Sequence, residues 1–226
     1  MADPTKEEHW SVHVRDDASE FVRRLIDLSV EANLVPDRDF HYKWDEYADW
    51  QLDVLKQSGL QPKHRLLDVG CGPLRLGLKA IPYLEDGGYF GMDAYAPYID
   101  LGAKLIVECG IEKRFTVLCS STFEFERFGS LFDYAMAQSV FTHMSAGQIR
   151  ECVRKLKPVM RPGATFLFTY FFTPHQRGIM YYGVQPMIAP RVLDTALFEE
   201  IARNESITFE ASPLPHPAQR VGIFRF

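Results

Sequence analysis

The spacing of apolar residues along the chain changes character twice. Residues 17–34 carry Phe21, Val22, Leu25, Ile26, Leu28 and Val30 at helical intervals, and Pro36 follows. Next comes "FHYKWDEYADWQLDVLKQSGL", which crowds Phe40, Tyr42, Trp44, Tyr47 and Trp50 ahead of Leu52 and Leu55. Gly59 reads as a helix stop. From Arg65 onward short apolar runs alternate with amphipathic segments. "RLLDVG", "GYFGMDA", "FTVLCSS", "LFDYAMAQS" and "ATFLFTYFF" read as strands. "PLRLGLKAIPYL", "PYIDLGAKLIVECG", "AGQIRECVRKLKPVM" and "RVLDTALFEEIAR" read as helices. "SITFEAS" and "VGIFRF" close the chain as two strands with no helix between them.

Strands alternating with helices predict an α/β fold. The expected architecture is a Rossmann-like, mostly parallel sheet of seven strands with helices on both faces. The two terminal strands form an antiparallel pair at one edge. Residues 1–58 are expected to form an N-terminal helical extension or lid. Residues 59–226 form the main domain, with a further lid insert at about 174–190. Ligands on such sheets bind beyond the carboxyl ends of the strands, which directs attention to Gly70–Leu74, Asp93, Ser120–Phe123 and Ala137–His143.

In "LLDVGCGPLRLG", Gly70 and Gly72 permit a tight strand-to-helix turn and let a ligand approach the backbone. The helix N-terminus behind them offers N–H groups to an anion, although a turn of this kind also occurs without a ligand. Asp93 ends the second strand 21 positions after Gly72, where an acid accepts hydrogen bonds from ribose hydroxyls. A dinucleotide site calls for GxGxxG. Position 75 is arginine, which favours an adenosyl cofactor lacking a pyrophosphate.

"LLDVGCG", "GMDAY", "FDYAMAQSVFTHMS" and "MRPGATFLFTYF" together resemble the class I S-adenosylmethionine-dependent methyltransferases over about residues 60 to 172. The "SVFTHM" segment is similar to bacterial small-molecule and sugar methyltransferases. The resemblance implies S-adenosylmethionine as cofactor. Asp68, Gly70, Cys71 and Gly72 fall in the first motif, along the methionine part. Asp93 matches the ribose-binding acid, with Met92 and Ala94 flanking it near the adenosine. Ser120, Ser121 and Thr122 stand where relatives often place an aspartate against the adenine amine. Gln138 lies at the reaction centre. Leu74 takes the place of the usual third glycine, and Arg75 either pairs with the cofactor carboxylate or is a surface arginine.

A sulfonium methyl is already electrophilic, so the protein mainly aligns a nucleophile, worth roughly 7–11 kcal/mol. A hydroxyl nucleophile also needs a base, and His143 is the candidate, with a loop hydrogen-bonding role as the competing reading. An amine that is already neutral needs none. Tyr42, Trp44, Tyr170, Tyr181 and Tyr182 are candidate acceptor-binding residues, with Tyr47, His175 and Met187 nearby in sequence. Trp44 and Trp50 also suit a helix core, and Tyr170 a strand core. The expected activity is methyl transfer to a hydroxyl, or an amine, of a small molecule. The alternatives are a catalytically inactive cofactor-binding partner of another methyltransferase, an N-methyltransferase on a larger substrate, or an NAD-dependent oxidoreductase.

Composition narrows the partners. The 226 residues carry a formal net charge of -5, with 46% hydrophobic and 24% charged residues. That balance speaks against nucleic acid as substrate, and Arg154, Lys155, Lys157 and Arg161 read as the charged end of one helix. No run approaches the ~18 apolar residues of a membrane span, and the N-terminus lacks a signal-peptide pattern. Cys71, Cys109, Cys119 and Cys152 form no CxxC pair, which fits reduced thiols and a cytoplasmic location. His9, His13, His41, His64 and His216 show no metal-ligand spacing, so no metal is expected.

Overall fold

A computed structural model describes residues 44–172, 193–216 and 219–226. The proposed helix at 17–34, the candidates Tyr42, Tyr181 and Tyr182, and the insert at 174–190 lie outside the described residues, as do His175 and Met187. The elements follow the order α1 (Trp44–Gln57), β1 (Leu66–Val69), α2 (Gly77–Tyr83), β2 (Tyr89–Asp93), α3 (Ala96–Glu108), β3 (Phe115–Cys119), β4 (Phe132–Ala137), α4 (Ala146–Leu156), β5 (Met160–Tyr170), α5 (Thr195–Glu205), β6 (Thr208–Ser212) and β7 (Arg220–Arg225).

The seven strands form one sheet in the order β3-β2-β1-β4-β5-β7-β6. Strands β1 to β5 pair in parallel, and β7 runs antiparallel to both β5 and β6. The antiparallel pair thus sits at one edge, with β7 slotted inward against β5 and β6 outermost. A dinucleotide-binding sheet of order 3-2-1-4-5-6 has no such inserted strand. Because β6 runs parallel to β5, the β6–β7 connection returns to the carboxyl edge, where the turns after β1, β2 and β4 also lie.

Both faces of the sheet are covered, which is why β1 reads as an unbroken apolar run around one buried acid. One face packs against α1, α2 and α3 through Leu66, Tyr89, Met136, Leu167 and Ile223. The other packs against α4 and α5 through Leu67, Phe90, Ala135, Phe166, Phe168 and Phe224. Helix α4 buries Ile149, Cys152, Val153 and Leu156, spaced i, i+3, i+4, i+7, and starts with a capping box between Ser145 and Gln148. The buried residues of α1 (Trp44, Val54 and Leu55) join the same core cluster as β1 and α2.

Two elements differ from the sequence expectation. The helix expected from Pro73 begins only at Gly77, because residues 72–76 wind as turns. Strand β5 begins at Met160, four residues before the expected Ala164, and continues through "RPG". The four cysteines are free thiols, two buried (Cys71, Cys152) and two exposed (Cys109, Cys119). Lys155 donates to the Thr122 carbonyl and pairs with Glu151, Lys157 donates to the Glu205 carbonyl, and Arg161 pairs with Asp133. No helix among the described residues is long and apolar enough to cross a membrane.

Leu74, at the position of the family's third glycine, adopts a left-handed backbone with φ of 59°. That conformation costs an ordinary residue roughly 1–2 kcal/mol. Full burial of a leucine side chain is worth about 1.5–3 kcal/mol, and Leu74 is completely buried, so packing outweighs the strain. Room for the side chain comes from α3: a Cβ at Gly102 would lie 2.6 Å from Leu74 Cγ and 2.7 Å from the Pro73 carbonyl carbon. Gly102→Ala is therefore expected to destabilise the fold by about 1–3 kcal/mol through overpacking. Urea unfolding checks this; an unchanged midpoint would refute the close approach.

Candidate functional site

In a sheet of this order the direction of winding reverses between β1 and β4, and the crevice beyond that switch point is the expected ligand site. The turns after the two strands touch there. A Cβ at Gly70, where φ is +70°, would lie 2.4 Å from Val140 Cγ2. Gly72 is the opposite case: φ is +53°, and among the described residues no atom beyond its chain neighbours lies within 4 Å of where a Cβ would stand.

The amides of the turn are committed internally. Gly70 and Cys71 both donate to the Met92 carbonyl (2.7 and 3.0 Å), and Leu74 donates to the Cys71 carbonyl (3.1 Å). Gly72 donates to Asp93 Oδ2 at 2.9 Å, and Tyr95 donates to Asp93 Oδ1 at 2.8 Å. Burial raises the Asp93 carboxyl, opposed by these backbone donors. Each oxygen keeps a lone pair for a hydroxyl donor. The amides of Gly70, Cys71, Gly72 and Leu74 are thus already paired within the protein, which leaves fewer donors in the glycine turn for a pyrophosphate.

Asp68 lies fully buried beneath the turn and accepts the Tyr89 hydroxyl at 2.7 Å. Desolvation is the dominant effect on it, only partly offset by Tyr89 and by the charge of Arg75, and its carboxyl is pushed up to about 7. The Cys71 side chain is buried, its sulfur 3.0 Å from where a Cβ at Gly91 would stand, and burial raises its thiol. Met92 is buried in the core and Ala94 is exposed.

Arg75 turns across the carboxyl edge toward α1. Its Nε donates to Gln51 Oε1 at 3.0 Å, a terminal nitrogen donates to Gln138 Oε1, and the guanidinium lies 5.8 Å from the Trp44 ring and 5.2 Å from that of Tyr47. Arginine is only a donor, so this contact fixes the Gln138 amide with its nitrogen toward Ser139 Oγ, at 2.8 Å. Arg75, Gln138 and Trp44 are thereby brought together.

Ser139, within the stretch the sequence reading flagged, joins them, together with Thr169, His216 and Gln219, which that reading did not assign to the site. Ser139, with φ of 59°, donates its backbone N–H to Thr169 Oγ1 at 2.7 Å. Gln219 Nε2 donates to Ser139 Oγ at 2.8 Å, and the Gln219 backbone donates to His216 Nδ1 at 2.9 Å. His216 Nε2 lies 3.5 Å from Gln138 Nε2, and its ring meets Trp50 edge-on at 4.5 Å. Burial and the nearby Arg75 charge lower the His216 imidazole to about 4. The Trp50 indole holds the loop by donating to the Pro215 carbonyl at 2.7 Å. Metal-ligand spacing could not find His216; the return of the β6–β7 connection to the carboxyl edge is the signal that could.

The remaining candidates spread outward. Ser120 donates to Glu124 at 2.9 Å, while Ser121 and Thr122 are exposed near the end of β3. His143 ends the short turn Phe141–His143, and burial lowers its imidazole below the usual value. Tyr170 packs against Phe168 and Phe198 on the α5 face, whereas Arg75 and Gln138 face α1. Among the described residues no cluster of His, Cys, Asp or Glu is arranged to hold a metal. A groove of about 550 Å³ does open at the opposite edge, lined by Arg65, Asp86, Lys113 and Arg114. Its cations are taken up in stitching the chain: Arg114 pairs with Asp86, and Lys113 donates to the Pro82 and Leu84 carbonyls.

No family model matches the sequence. Solved structures do. Magnesium protoporphyrin IX methyltransferase from Synechocystis PCC 6803 with bound SAH is 13% identical over 91% of this chain and 95% of its own, with a TM-score of 0.62. The DhpI–SAH complex is 13% identical over 91% and 92%, with a TM-score of 0.61. An O-methyltransferase family protein from Burkholderia thailandensis is 15% identical over 83% and 60%, with a TM-score of 0.58. The chain has the fold of the S-adenosylmethionine-dependent methyltransferases.

Asp68 carries a pH signature. Its folded-state value of about 7 exceeds the unfolded 3.8, so the folded protein binds the extra proton between those values and loses stability as pH rises through that window. Asp68→Asn removes this cost. The variant is expected to melt above wild type at pH 8, with the gap closing toward pH 4, as read by thermal unfolding. A constant gap across that range would refute the buried-acid assignment.

Proposed function

We propose that this protein is an S-adenosylmethionine-dependent methyltransferase acting on a hydroxyl, or an amine, of a small molecule. The observation that carries the reading is the junction of Gly72 and Asp93: a backbone that no described atom beyond its chain neighbours crowds where a Cβ would stand, with a carboxylate 2.9 Å from its N–H at the end of β2. The residues fit the cofactor. Asp93 offers acceptor lone pairs to two ribose hydroxyls, between Met92 and Ala94. The committed amides of the turn suit a group that brings no phosphate. Gly70, Cys71 and Asp68 form the floor of the turn. Ser121 and Thr122 stand on the adenine side, Gln138 on the reacting side, and Arg75 supplies the cation for the cofactor carboxylate. Similarity to structures with bound SAH supports the same assignment.

When bound, the cofactor supplies an electrophilic methyl group. The chain's own residues then have to hold the acceptor in line and exclude water. His143 is neutral at physiological pH, since burial lowers its imidazole, so it is able to take the proton of a hydroxyl acceptor. Trp44, Tyr47 and Trp50 give the α1 side of the edge an aromatic character suited to a flat substrate.

Calorimetric titration with S-adenosylhomocysteine and, separately, NAD tests the reading. Binding of the first alone is expected; binding of NAD, or of neither, would overturn it. Asp93→Ala is expected to weaken S-adenosylhomocysteine by at least about tenfold, since it removes a charged acceptor. His143→Ala should leave that affinity unchanged while lowering methyl transfer.

A further inference from the structure

The hydrogen-bond network at the end of β4 leaves one buried acceptor unpaired, Gln219 Oε1. Because Arg75 fixes the Gln138 amide, the Gln138 nitrogen must donate to Ser139 Oγ. Gln219 Nε2 donates to the same oxygen. Two donors fill the lone pairs of the Ser139 hydroxyl, so its own proton remains available as a donor. Beside it, Gln219 Oε1 is buried and accepts no hydrogen bond, and Gln219 as a whole is only 6% exposed. A buried acceptor without a donor costs about 1–3 kcal/mol, a cost that a bound ligand can relieve. Ser139 is also held at positive φ by Thr169 Oγ1 on its N–H and by the Thr142 hydroxyl on its carbonyl. Strain of this kind concentrates where a site is preorganised.

We propose that Ser139 and Gln219 form a recognition subsite for a hydroxyl of the acceptor, carried on a flat ring beside the group that is methylated. The inference rests on the methyltransferase reading and narrows its acceptor. A hydroxyl satisfies both partners at once, donating to Gln219 Oε1 and accepting from the Ser139 O–H. An ether only accepts and leaves Gln219 orphaned; an ammonium only donates and leaves the Ser139 proton orphaned. A cationic acceptor also meets the Arg75 charge, which reaches this edge through Gln138. The flat ring follows from the neighbours: Tyr47 and Trp50 flank His216, whose Nδ1 accepts the Gln219 backbone N–H. Contact between Val140 and Gly70 places the residue after Ser139 directly against the glycine turn.

The test uses the full-length protein saturated with S-adenosylhomocysteine and titrated with phenol, anisole and benzylamine by NMR. Phenol is expected to bind about tenfold more tightly than anisole, the value of one neutral hydrogen bond, and benzylamine more weakly than phenol. In Gln219→Leu the preference for phenol over anisole should collapse while S-adenosylhomocysteine affinity stays within about twofold. Ser139→Gly, which relieves the left-handed strain, serves as a second variant and should also lower the preference. Equal binding of phenol and anisole to wild type, absence of phenol binding, or a preference that survives in both variants overturns the subsite. Loss of S-adenosylhomocysteine binding in the wild-type protein would instead overturn the methyltransferase reading beneath it.

Discussion

The Asp93 carboxylate joins two turns that the fold would otherwise leave separate. One oxygen takes the N–H of Gly72 and the other that of Tyr95, so the loop after β1 is tied to the loop after β2 by an acid at a strand end. The parallel register makes this reachable, since Val69 pairs with Met92 immediately before both turns begin. Burial works against the charge, and backbone donors hold it in place. An acid gripped by two backbone amides is held in one orientation by the turns it joins.

The same edge collects backbone strain. Leu74, Phe123 and Ser139 adopt left-handed conformations after β1, β3 and β4, and the fourth such non-glycine residue, Ser206, only caps α5. Two of these positions are held by something specific: core packing for Leu74, a ring of hydrogen bonds for Ser139. Stable packing lower in the sheet, where Phe166, Phe168, Phe198 and Phe224 interlock, provides a rigid base for these loops. A site on such a base can be narrow in what it accepts.

Electrostatically the edge divides into two halves. On the β1–β2 side, Asp68 and Asp93 are both raised by burial, Asp68 to about 7. On the β4 side, Arg75 is the charged group of the Gln138 and His216 network, and it drives His216 further toward neutrality. Helix α1 belongs to this arrangement through Gln51, Trp44 and Tyr47. The aromatic stretch therefore serves the core and the site together, with Trp44 buried in one and bordering the other.

Much of the architecture was legible in the sequence because it rests on local signals. Alternation of buried runs with amphipathic segments marks a parallel sheet covered on both faces, and the glycine turn and Asp93 stand at positions set by strand length. What no linear pattern carries is which loops meet. Whether β7 lies inside or outside β6 depends on pairing between distant strands, and only that pairing returns His216 and Gln219 to Ser139, across as many as 80 residues of chain. The start of α2 also escaped, because tertiary contact with Gly102 of α3 lets Leu74 take a glycine's conformation. The sequence by itself determined the Gly72–Asp93 side of the edge, built from one βαβ unit whose residues are close in the chain. Tertiary structure decided the Ser139–Gln219 side, because its donors and acceptors come from separate strands and find one another only once the sheet has closed.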